Sequence, residues 1–214
     1  MKHVINYFEY LKEENSSETE SFDIEANKEK IKAVDLISGQ NEICIDELLE
    51  NLIGNEKFVK KALKGKIKVK DIIVSSDFHI LDGHHKWAAI FTLNPECEIK
   101  CTKLNIPFDE AIPILKKLLK DSNIEEEEPK DEIKLNIFDL DKDELKEVIT
   151  TFLKNADKEQ VKFLLDSINK SKESYLHPLN HFISNIYKIP NPKKKAPKRE
   201  DMLQLDVEEL DDII

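Results

Sequence analysis

The chain has 214 residues, 40% of them hydrophobic, with 44 acidic against 33 basic side chains and a formal net charge of −11. That length suits one domain with appendages or two small domains, and the acidic balance argues against broad coating of nucleic acid, whose backbone repels like charge. Three cysteines form no paired framework, which fits a reducing compartment. No apolar run approaches the roughly 20 residues of a membrane span, and no basic, apolar and small-residue leader opens the chain. A cytoplasmic protein without a membrane partner is expected.

In chain order, residues 3–12 space Val4, Ile5, Tyr7, Phe8 and Leu11 as a short amphipathic helix. Residues 13–24 are polar and low in complexity, which reads as a linker. A helix is expected over 25–38, stopped at Ser38-Gly39, and then a short strand over Glu42–Ile45. Asp46 is the expected cap of a helix through Leu52. Gly54 should break that helix, Asn55 should cap the next, with Glu56 in its first turn, and Gly65 should end it. Strands are expected at 71–75 and 78–81, a helix at 84–93, a strand at 97–105 with Cys97, Ile99, Cys101 and Lys103 on one face, and a helix from Phe108 to about Lys120. Pro113 in the first turn of that last helix is tolerated.

Glu125–Glu128 and Pro129 mark a boundary. Beyond it, helical patterns at 141–154, 158–170 and 176–187 suggest a helical appendage over 130–188. Residues 190–197, with Lys193, Lys194 and Lys195, form an extended basic segment, followed by an acidic tail carrying Leu203, Leu205, Val207 and Leu210. The chain contains no internal repeat.

The most informative stretch is Asp82-Gly83-His84-His85-Lys86-Trp87-Ala88-Ala89, where an apolar strand meets a helix start. Glycine permits a tight turn and a close approach to the backbone. A helix N-terminus offers unpaired N–H groups and a partial positive charge, so phosphate is the ligand the pattern suggests. This segment resembles the signature of the ParB/sulfiredoxin superfamily, and most of all the Asp-Gly-His-His-Arg turn of the free serine kinases. Asn55-Glu56-Lys57-Phe58-Val59 resembles the stretch where those kinases carry their catalytic glutamate. The resemblance covers roughly residues 42–120. It departs from the pattern at Lys86, where the family has arginine, because lysine cannot make the planar two-pronged contact of a guanidinium. His84 stands where sulfiredoxins carry their catalytic cysteine, which argues against sulfinic-acid reduction.

The resemblance implies an α+β domain over 25–124 with a small mixed sheet and packed helices. It also implies a nucleotide (ATP, ADP or CTP) and transfer of its phosphoryl group to a small hydroxyl substrate or to water. Glu56 would be the base, with Asp82 and His85 catalytic beside it. Gly83, His84, His85 and Lys86 would hold phosphate, and Asp82 could share a magnesium ion. Two other readings stand beside this one. The first is a ParB-like DNA-binding protein or nuclease, with the helices beyond 141 as adaptor. The second is a non-catalytic scaffold whose segments 3–12 and 200–214 hold a protein partner. The lysine-, asparagine- and isoleucine-rich composition resembles phage-encoded ParB-like proteins, which would place the chain in a host cytoplasm. Trp87 is expected in the core. Cys97 and Cys101 lack the further ligands of a zinc site, and His177 and His181 read as capping or surface residues.

Overall fold

The computed structural model describes residues 24–121, 135–170, 177–192, 196–199 and 202. The expected helix at 3–12, nearly all of the 13–24 linker, the acidic boundary at 125–129, Lys193–Lys195 and the tail apart from Met202 lie outside them. The fold is α+β. Strands β1 (Ala26–Lys32), β2 (Lys66–Val74), β3 (Ile80–Asp82) and β4 (Glu98–Leu104) form a sheet in the order β1-β4-β2-β3. The β1–β4 and β2–β3 pairs are antiparallel, and β4 runs parallel to β2. Seven helices are described: α1 (Ile45–Ile53), α2 (Glu56–Leu63), α3 (His84–Leu93), α4 (Phe108–Asp121), α5 (Lys142–Asn155), α6 (Lys158–Asn169) and α7 (Pro178–Ile186).

Several elements follow directly from local chemistry. Asn55 caps α2, its side chain accepting the Phe58 N–H at 3.0 Å, and Gly65 follows that helix at φ 80°, a conformation costly for any residue with a Cβ. Asp141 and Glu144 close a capping box on α5. The motif helix α3 spans His84–Leu93 as its pattern predicts, with Gly83 as N-cap at φ 84°.

Other expectations are corrected. The expected helix at 25–38 is β1 followed by a 3-10 turn at Ala33–Asp35. Its alanine, lysine and glutamate favour helix, but pairing along the whole of β4 outweighs that weak preference. The expected strand at 42–45 is only an isolated bridge between Cys44 and Asn136. Asp46 does not cap α1; Cys44 holds the N-cap position without a side-chain hydrogen bond, and Asp46 lies in the first turn. β2 begins at Lys66, five residues before the expected 71, because Lys66-Ile67-Lys68-Val69 already alternates with period two.

One face of the sheet carries the main core. Ile31, Ile67 and Ile99 pack there with Leu48, Leu52, Val59, Trp87 and Phe91 of α1–α3. The same cluster includes Leu145, Ile149, Leu164, Ile168 and Phe182, so α5, α6 and α7 share this core. α7 packs on α3, and α6 on α2. A smaller cluster on α4 joins Phe108, Ala111 and Leu115 to Ile73, Leu81 and Leu104, and Met202 is buried with them. No helix among the described residues is long and apolar enough to cross a membrane.

Candidate functional site

The motif turn is held from several directions. The Gly39 N–H donates to His84 Nε2 at 3.2 Å, and the Cys44 N–H donates to His85 Nε2 at 3.0 Å. Both rings therefore accept a backbone N–H through Nε2, so each carries a proton on Nδ1 when neutral. His85 Nδ1 lies 3.3 Å from Glu47 Oε2 on α1. Glu47 in turn receives both arms of the Arg199 guanidinium, at 2.6 and 3.2 Å. The two histidines thus fasten the segment 38–45 to the start of α3.

Burial lowers the His84 pKa from 6.5 to about 3; neighbouring His85 and the Arg199 charge add to the effect, while a hydrogen bond to the Ile80 backbone opposes it. His84 is a neutral, buried residue whose ring is taken up by backbone hydrogen bonds, so it offers little surface to a ligand. The Gly83 N–H donates to Asp82 Oδ1 at 2.6 Å, which removes that donor from any phosphate cradle. Trp87 is fully buried, and its Nε1–H donates to the Ala33 carbonyl at 2.9 Å.

Lys86 points elsewhere. It lines a cavity of about 500 Å³ with Glu50, Asn51, Asn55, Phe58 and Lys68. Glu47, Glu50, Asn51 and Gly54 follow one another at helical spacing on α1, so one helix face runs from the His85 contact to this cavity. Glu56 is exposed and is not among the residues lining the cavity; its carboxylate pairs with Lys60 at 3.1 Å. The carboxylate on the cavity wall is Glu50.

The structure therefore brings Lys86 to a cavity and Asn55, the cap of α2, to its rim. His84 and His85 instead pair with backbone. Sequence reasoning missed Glu47, Glu50, Asn51, Lys68 and Arg199. Arg199 carried a signal, being the only arginine of the chain; the bidentate contact to Glu47 requires a guanidinium. Lys68 was legible in the alternation of β2.

Among the described residues no group of three His, Cys, Asp or Glu side chains is arranged to hold a metal ion. Burial pushes the Cys97 thiol up to about 12 and that of Cys101 up to about 11, so neither supplies a thiolate. His177 caps α7, and His181 Nε2 lies 2.9 Å from the Leu93 carbonyl at the end of α3. No known family model, curated protein or solved structure matches this chain.

Proposed function

We propose that the chain is a nucleotide-binding protein of ParB/sulfiredoxin kind that holds the phosphates of its ligand beside Lys86. The observation that carries this reading is the composition of the cavity wall. Two ammonium groups, Lys68 and Lys86, stand with the carboxamides of Asn51 and Asn55 and the ring of Phe58 around about 500 Å³. The ammonium groups supply charge for phosphate, the carboxamides supply donors and acceptors for a sugar or base edge, and Phe58 gives an apolar wall. Small-molecule pockets span roughly 300–1,000 Å³, and this one is more polar than most, which suits a charged ligand.

Phosphoryl transfer is the narrower form of the proposal. The hydroxyl oxygen of a small substrate or water would bond to the terminal phosphorus as the bridging P–O bond breaks. The hydroxyl proton would pass to a carboxylate. Glu50 lines the cavity and takes that role more readily than the exposed Glu56. A magnesium ion would be held mainly by the ligand's phosphates and water.

A thermal-shift screen of ATP, ADP and CTP, with and without magnesium, tests the reading. A ligand at 100 times its Kd stabilises the folded state by about 2.7 kcal/mol. One nucleotide is expected to raise Tm, and Lys86→Ala and Lys68→Ala are expected to abolish the rise. No shift with any nucleotide at millimolar concentration contradicts the proposal.

A further inference from the structure

The lysines of the sheet form a pattern that folding alone does not require. The register sets Lys30 of β1 opposite Lys100 of β4, and Lys100 beside Lys68 of β2. In the next row Lys32 faces Glu98, and Glu98 lies beside Lys66. Strand alternation sends Ile31, Ile99 and Ile67 to the core and these lysines to the other face. Lys61 of α2 joins Lys30, Lys66, Lys68 and Lys100 around a shallow depression of about 260 Å³, which Ile67 and the carboxylate of Glu98 also line, so five lysines stand there against one acid.

Like charges directly opposite one another on a sheet are destabilising. Some are offset here: Lys32 pairs with Glu96 at 2.9 Å and Lys66 with Glu98 at 3.6 Å. Among the described residues, Lys30, Lys61, Lys68 and Lys100 have no carboxylate within 4.0 Å. Edge protection against strand addition accounts for lysines on β1. It does not account for Lys100, because β4 lies between two strands. A row of lysines without a carboxylate partner among the described residues, within a chain of net charge −11, is a local concentration of positive charge against the overall balance.

We propose that this face binds the phosphate backbone of a nucleic acid without reading its sequence. An acidic peptide is the less suitable occupant. Protein interfaces draw their affinity from apolar and aromatic anchors, and the exposed large apolar residues among those described, Val34, Phe78 and Tyr187, do not line this depression. A phosphate backbone is bound through charge alone, with release of its counterions. Lys68 lines both this depression and the Lys86 cavity, so the two sites adjoin at that residue.

Fluorescence anisotropy of the full chain with a short labelled duplex, and with the corresponding single strand, tests the proposal. Binding of either form at low salt is expected, with affinity falling as salt rises from about 50 to 200 mM. The double variant Lys30→Gln/Lys100→Gln should bind the duplex about tenfold or more weakly and show a salt slope smaller by about 2, from roughly 0.9 per lost phosphate contact. Equal binding by the variant, no binding of either form at low salt, or poly-glutamate competing as well as nucleic acid at equal charge would each overturn it. These two lysines lie outside the Lys86 cavity. A nucleotide-induced rise in Tm should therefore persist in the variant, and the two proposals succeed or fail separately.

Discussion

His84 sits in the core with its Nε2 accepting the Gly39 N–H, so protonating it removes an acceptor and buries a charge. Its folded pKa of about 3 lies below the unfolded value of 6.5. The stability it contributes is therefore complete above about pH 6.5 and is lost as pH falls toward the folded value. The loss approaches about 1.4 kcal/mol per pH unit inside that window. Urea unfolding at pH 7.5, 6 and 5 should show the decline, and His84→Gln, less stable at pH 7.5, should show a flatter profile. Gly39 itself admits no side chain: an added Cβ would lie 2.6 Å from Phe108 Cε2 and would also collide with the Ile80 carbonyl oxygen. Gly39→Ala should cost about 1–3 kcal/mol, the range for overpacking, read as a lower urea midpoint at unchanged m-value. At this scale the sequence placed the strand-to-helix turn at Gly83 but not the contacts of its histidines. Asp-Gly-His-His-Lys looks the same whether its rings face a ligand or a neighbouring backbone, and the residues that decide, Gly39 and Cys44, lie some 40 positions away.

Residues 196–199 return across the loop that precedes α1. The Asn41 N–H donates to the Pro197 carbonyl, the Arg199 N–H donates to Glu42 Oε2, and the Arg199 guanidinium grips Glu47. Met202 then buries its side chain beside α4. Glu47 is thus shared between Arg199 and His85, which ties this segment to the motif. Arg199→Ala removes the bidentate contact to Glu47 and should destabilise by about 1.5–3 kcal/mol, as for hydrogen bonds to charged groups. Arg199→Lys should recover only part of that, because a lysine cannot bridge both carboxylate oxygens. Thermal unfolding of both variants measures it. Among the elements, the helices with clear caps and apolar spacing were legible in advance: α2, α3, α5, α6 and α7 fall within two residues of expectation. β1 was not, because Ala26–Lys32 has a helix-favouring composition and only Ile31 of it is buried. Its strand state depends on β4, whose partner cannot be read from local sequence.

Across the whole molecule, α3 is fixed at both ends. His84 and His85 hold its start. At its end Asn185 Nδ2 donates to the Thr92 carbonyl at 3.0 Å, and His181 approaches that of Leu93. These two come from α7, so the C-terminal helices help to orient the motif helix. Phe182, fully buried in the shared core, is the test of that dependence. Phe182→Ala should cost about 3–5 kcal/mol, and unfolding followed by Trp87 fluorescence and by circular dichroism should coincide in one transition. An apolar helical pattern beyond residue 141 was visible in the sequence, but the face it covers was not. The open cavity bordered by α1, α2, β2 and α3 is the proposed nucleotide site. Amide chemical-shift mapping of the full chain during titration with ATP, ADP or CTP and magnesium tests it most directly. The account predicts shifts concentrated at Glu50, Asn51, Asn55, Phe58, Lys68 and Lys86. Nucleotide binding that leaves these amides unmoved and perturbs residues elsewhere would contradict it, as would no perturbation at all.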